Sequence, residues 1–207
     1  MSLQDDLLTN SEQRLWDLIA QRTRTGADTR AIDDRIWKLF GERWAVAFTD
    51  LSGFSRATER FGIIHFLQVI YEMRRLLYPV IADHGGILVK PEADSLLLLF
   101  RDAASALRCS IAMQRACQAE SERLVDEEKI LLCIGIGFGD ILRVGQHEAW
   151  GSEVNAASKL GEDTARTDEI LVTGAARDAI GDAIAGATYT AIDDAIPGSK
   201  RNFRVAY

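Results

Sequence analysis

The chain has 207 residues, 47% of them hydrophobic, enough to bury one sizeable core with a small appendage. Its net charge of -7 and sequence pI near 5.0 provide no basic face for nucleic acid, so no nucleic-acid partner is expected. Cys109, Cys117 and Cys133 form no CxxC pair and lie in apolar runs, which marks them as reduced core residues, and the scattered His65, His84 and His147 build no zinc site.

The opening MSLQDDLL is acidic and has no basic segment followed by an apolar one, and no apolar run approaches the ~20 residues of a membrane span. A soluble, cytoplasmic chain with no membrane partner is the expectation. Residues 5–40 carry Leu7, Leu8, Leu15, Trp16, Leu18 and Ile19, then Ile32, Ile36, Trp37, Leu39 and Phe40, at helical spacing. The polar TRTGADT between them predicts two helices with Asp28 or Thr29 as the second N-cap. Gly41 is the stop signal before a strand at Trp44–Thr49.

Next comes a long amphipathic helix over Thr58–Asp83, ending at His84-Gly85-Gly86. ILVKPEADSLLLLF is two apolar runs with a hairpin at PEAD, where Pro91 presets a turn angle and Asp94 tolerates one. A helix is predicted over 102–124 and a strand over Ile130–Phe138. In that strand Ile130, Leu132, Ile134, Ile136 and Phe138 share one face, while Leu131, Cys133, Gly135 and Gly137 leave the other nearly bald for a close neighbour. GDILRVG begins a further strand, Ser152–Ala165 is helical, EILVT is a strand, and two short strands fall near Thr188–Ala191 and Phe203–Ala206. The order strand, helix, hairpin, helix, strand is an α+β, ferredoxin-like βαββαβ plan. Residues 1–41 form an N-terminal helical extension and 42–207 the main domain.

In that plan the end of the first strand lies beside the hairpin, which brings Asp50 and Asp94 together. Two carboxylates over a glycine-containing turn suit Mg²⁺, which takes oxygen donors and keeps its other positions for water and phosphate. The backbone N–H groups of Ser52, Gly53, Phe54 and Ser55, at the start of the next helix, are then candidates to hold phosphate oxygens. The combination points to two-metal phosphoryl transfer.

FTDLSGFS, the hairpin Lys90–Phe100, and GFGDILRVG followed by WGSEVNAASKL resemble the motifs of class III nucleotidyl cyclases, in order and spacing, from about Trp44 to Tyr207. The resemblance implies that Asp50 and Asp94 bind two Mg²⁺ or Mn²⁺ ions per site. Lys90 and Glu148 match the base-reading positions, Asn155 the ribose-orienting residue, and Lys159 the transition-state cation. A lysine donor with a carboxylate acceptor suits the adenine edge, so ATP is the expected substrate and cyclic AMP and pyrophosphate the products. In the family the metal pair and the base-reading face come from different chains, which implies a head-to-tail homodimer with shared sites. Three positions depart from the pattern: Ala93 stands for glycine, Lys159 for arginine, and Pro197 for a triphosphate-binding lysine, with Lys200 and Arg201 nearby. These departures raise the alternative of a weak or inactive cyclase-homology domain that binds nucleotide as a regulatory module. A guanylate cyclase ranks lower, as does a diguanylate-cyclase or polymerase-palm relative, because the hairpin reads PEADS. Trp16, Trp37, Trp44 and Trp150 are read as packing residues, with Trp150, close to Glu148, also a candidate border of the base pocket.

Overall fold

The computed structural model describes residues 10–207, apart from the side chains of residues 54–57 and 127, so Leu7 and Leu8 lie outside the described residues. Two amphipathic helices, α1 (Asn10–Arg22) and α2 (Thr29–Phe40), open the fold, and the Asp28 carboxylate caps the second by accepting from the Ala31 N–H. Gly41 ends α2 and is also the first residue of β1 (Gly41–Leu51), which starts three residues earlier than its apolar run suggests.

The predicted helix over Thr58–Asp83 is two helices, α3 (Phe54–Phe61) and α4 (Ile63–Asp83). They break at Gly62, whose φ of 84° is left-handed and incompatible with one continuous helix. The hairpin follows as β2 (Ile87–Glu92) and β3 (Ser95–Phe100), so the turn is Ala93-Asp94 alone and Pro91 is a strand residue paired with Leu96. That is tolerated because β2 is the sheet edge, where a missing N–H breaks no ladder on the outer side.

After α5 (Ala103–Ser121), β4 runs from Leu132 to Val144, since GDILRV continues the strand and starts no new one. A short β5 (Glu148–Trp150) folds back on it. Next come α6 (Ser152–Ser158), a π-helical turn (Lys159–Thr164), β6 (Ile170–Thr173), α7 (Gly174–Ile180), β7 (Thr188–Ile192) and β8 (Asn202–Ala206).

The sheet order is β2-β3-β1-β4-β6-β8-β7, with β5 attached to β4. Its first four strands reproduce the ferredoxin-like order, with β1 central between β3 and β4 and antiparallel to both. One face of the sheet, including Ala45, Ala47, Leu98, Ile134 and Ile136, packs on Met73 and Leu77 of α4 and Leu107 and Met113 of α5. The other face, with Trp44, Val46 and Phe48, packs on Val154 and Ala157 of α6. Burial on both faces explains why WAVAF is continuously apolar rather than alternating. The helical pair adds a small cluster, in which Leu15, Leu18, Ile36 and Phe40 close over Val144 at the end of β4.

Among the described residues no helix is long and apolar enough to cross a membrane. Cys109, Cys117 and Cys133 are free and buried, as their apolar context predicts.

Candidate active site

The carboxylate of Asp50 lies at the C-terminal end of β1, half-buried, and accepts a hydrogen bond from the Ser95 hydroxyl at 3.0 Å. Asp94 is the residue before Ser95, in the two-residue turn of the neighbouring hairpin, so the antiparallel register delivers both acids to one edge of the sheet. Burial pushes Asp50 up to about 6, the Ser95 bond opposes this, and the charges of Asp94 and Glu162 push the same way as burial. Asp94 is raised too, first by burial and then by Glu162. Two partly desolvated carboxylates, with the charge of Asp94 acting on Asp50, are a donor set that a hard divalent ion would satisfy. Their number also fits, because Mg²⁺ or Mn²⁺ held by one or two carboxylates keeps positions for phosphate and water. Among the described residues no group of three or more His, Cys, Asp or Glu side chains converges into a closed metal cage. Cys133 pairs with Asp50 across β1 and β4, and burial pushes its thiol up to about 11.

The turn after Asp50 differs in one respect from the expected phosphate cradle. Ser52 donates its backbone N–H to the carbonyl of Leu131 at 2.8 Å, and its hydroxyl bonds that of Thr167 at 2.7 Å, so this N–H is not free for a phosphate. Gly53 follows with φ of 88° and, as the N-cap of α3, supplies no side-chain hydrogen bond to the first turn of that helix. The side chains of Phe54 and Ser55 lie outside those described. Beside the turn opens a cleft of about 530 Å³, bordered by Ser52, Gly53, Arg60, Phe61 and Lys129.

Lys90 and Glu148 come together within one chain. His147 reaches across to the Val89 carbonyl at 3.2 Å, which ties the β4–β5 turn to β2. Lys90 is raised mainly by its hydrogen bond and ion pair with Glu92, with a further contribution from Glu148. Trp150 packs against another aromatic: its ring meets Trp16 of α1 edge-on at 6.3 Å and borders the cleft beneath the N-terminal helices.

Asn155 and Lys159 occupy the exposed side of α6 and the first position of the π-turn, where the predicted uninterrupted helix gives way. The Lys159 ammonium pairs with Asp163 at 2.7 Å. What seats this segment is the bald face of β4. A Cβ on Gly135 would come within 2.1 Å of the Ala157 carbonyl oxygen, and one on Gly137 within 2.5 Å of that of Glu153. The π-turn is widened by the bond from Ala165 N–H to the Leu160 carbonyl at 2.8 Å, and such turns recur at functional sites.

Three supporting residues escaped the sequence reading. Ser95 holds Asp50. Glu153 accepts from the Phe138 N–H at 2.9 Å and the Thr173 hydroxyl at 2.8 Å, fixing α6 where the β4–β6 pairing has ended at Ile136 and Val172. Glu162 acts on both aspartates from the π-turn, whose bulge no periodicity announces. The glycine stripe of β4 was the available signal for Glu153, since a helix brought that close can reach an unpaired strand N–H. At the C-terminal loop Arg201 is engaged by Asp178, while Lys200 is exposed near the expected triphosphate position.

A fold with these four ferredoxin-like strands, two acids where β1 ends beside the β2–β3 hairpin and a helix seated on a glycine strand is that of nucleotidyl cyclase catalytic domains. No protein-family model matches the chain. A solved adenylate/guanylate cyclase/hydrolase from Silicibacter pomeroyi is 31% identical and superposes with a TM-score of 0.68, over 80% of this chain and 96% of its own. An adenylate cyclase of Streptomyces griseus is 32% identical over 152 residues, 73% of this chain and 35% of its own length. A putative adenylate cyclase 3 of Rhizobium meliloti is 29% identical over 116 residues, 56% of this chain and 20% of its own. The chain therefore spans about a third or less of the length of these curated relatives. It belongs to the class III nucleotidyl cyclase family.

Proposed function

We propose that the chain is the catalytic domain of an adenylate cyclase that converts ATP to cyclic AMP and pyrophosphate in cyclic-nucleotide signalling. The observation that carries this is the convergence of Asp50 and Asp94, both with proton affinities raised chiefly by burial, at the C-terminal end of β1. Asp50 and Asp94 would hold Mg²⁺ or Mn²⁺, which supplies charge neutralisation at the α-phosphate and activates the ribose 3′-hydroxyl as nucleophile when bound. Lys90 donates to the adenine ring nitrogen and Glu148 accepts from the exocyclic amine, a polarity that guanine would meet with the wrong groups. Asn155 orients the ribose and Lys159 meets charge developing on the transferring phosphate.

Within one chain, the ion-pair partner of Lys159 is Asp163 and not a phosphate-facing group, and Lys159 and Asn155 are solvent-exposed. This favours a head-to-tail homodimer in which each metal edge faces the Lys90, Glu148, Asn155 and Lys159 surface of the other copy. The catalytic unit is 42–207, with the helical pair of 1–41 as an extension that covers the end of β4.

The test is direct: purified protein with Mn²⁺ and either ATP or GTP, with cyclic product separated by chromatography. Cyclic AMP from ATP, lost in Asp50→Ala, is the expected result. A preference for GTP overturns the base reading. Saturable ATP binding with no product establishes instead the regulatory cyclase-homology domain, the reading that Lys159 in place of arginine, Ala93 in place of glycine and Pro197 in place of lysine favour.

A further inference from the structure

The turn that carries Asp94 is strained, and one residue outside the expected site holds it. A two-residue hairpin loop matches the twist of its strands only with a left-handed residue, for which glycine is the ordinary choice. Here the first loop residue is Ala93, at φ of 48°. An L-residue in that region crowds its Cβ against the backbone, a penalty glycine does not have. Left alone, such a turn relaxes toward other backbone conformations, and the carboxylate of the next residue moves with it.

Arg74 reaches this turn from the middle of α4. Its Nη2 donates to the Ala93 carbonyl at 2.9 Å across nineteen residues of sequence. Its Nε is buried and has no hydrogen-bond partner among the described residues. A guanidinium held with one donor unsatisfied is committed to its place by the contact it does make, because a surface arginine would otherwise turn all five donors to water. The bonded group is the carbonyl of the peptide that links Ala93 to Asp94, so the contact fixes the orientation of that peptide plane. It leaves the carboxylate itself free for a cation.

We infer that Arg74 is a positioning residue for the metal edge: it clamps the left-handed Ala93 turn and thereby sets the Asp94 carboxylate opposite Asp50. The inference rests on the reading of Asp50 and Asp94 as metal ligands. It also gives a physical reason for an alanine where the turn asks for glycine, since the energy lost to strain at position 93 is offset by a charge-assisted hydrogen bond from α4.

The experiment is a double-mutant cycle on the full chain, read by Mn²⁺ binding through loss of the free-ion electron paramagnetic resonance signal and, separately, by thermal unfolding. Arg74→Ala weakens Mn²⁺ binding by about tenfold, the scale of one charge-assisted hydrogen bond. Arg74→Lys, which can still donate to a carbonyl, recovers most of that loss. In the Ala93→Gly background the same Arg74→Ala change costs less than about threefold, because glycine occupies the left-handed region without help. Equal losses in both backgrounds, or no loss in either, overturn the clamp. Failure of the underlying reading looks different: a chain whose Mn²⁺ binding is unmeasurable, or unaltered by Asp94→Asn, has no metal edge for Arg74 to position. If Arg74→Ala lowers the unfolding temperature without touching Mn²⁺ affinity, Arg74 is only a structural residue and the inference fails.

Discussion

Asp50 shows how a single residue's chemistry follows from its address. It is the last polar step of a strand buried on both faces, so burial dominates its proton affinity, with Ser95 opposing and Asp94 and Glu162 adding to it. The folded, metal-free chain holds this proton more tightly than the unfolded chain does. Stability from this group is therefore greatest at low pH and falls as pH rises from the ordinary carboxylate range to about 6, with no further loss above it. A divalent cation must displace the same proton, so its affinity drops as pH falls below about 6. Thermal melts with and without Mn²⁺ check this: the metal should raise the unfolding temperature clearly near neutral pH and much less at ~5. A metal-induced shift that is the same at both pH values would contradict the account.

At the level of elements, the seat of α6 is decided by what β4 lacks. Gly135 and Gly137 let the helix backbone lie on the strand, and Glu153 then bridges β4 and β6 by taking the Phe138 N–H and the Thr173 hydroxyl. Asn155 and Lys159 project from this same segment, so their placement depends on a contact two residues or more away from them. Gly137→Val puts branched carbon where the Glu153 carbonyl oxygen would be 2.5 Å from the Cβ alone. Overpacking of this kind costs roughly 1–3 kcal/mol. The variant is expected to fold with a lowered denaturation midpoint and to lose turnover by about 10²-fold, because small misplacements of groups that orient a reacting centre are amplified in rate. Mn²⁺ binding at Asp50 and Asp94, on the neighbouring edge, should change little. Denaturant titration beside product formation and Mn²⁺ titration separates the three effects.

For the molecule as a whole, the decisive question is whether one site is made by two copies. If the metal edge and the base-reading surface act across a dimer, two differently disabled chains should repair one another. Asp50→Ala alone and Lys159→Ala alone are each expected to be inactive, since neither homodimer has a complete site. A mixture of equal amounts forms mixed dimers for half of its population, each with one intact site of two, so about a quarter of full activity returns. Activity that stays absent after mixing, although light scattering shows dimers that exchange subunits, would exclude shared sites. The helical pair bears on the same scale, because it covers Val144 and sets Trp16 edge-on to Trp150 of β5, the strand that also carries Glu148.

What the sequence determined by itself was whatever depends on local periodicity and chain order: the two N-terminal helices with a cap at Asp28 on the second, the ferredoxin-like core strands, the bald face of β4, and the adjacency of Asp50 and Asp94. Those follow because alternation, helical spacing and hairpin length act over a few residues. Four features came only from the tertiary structure: the break at Gly62, the π-turn that brings Glu162 toward the acids, the capture of the Ser52 N–H by Leu131, and the clamp from Arg74 onto Ala93. Each is a choice between near-equal local conformations, and in the last two what tips it is a partner far away in the chain, which neighbouring residues do not encode.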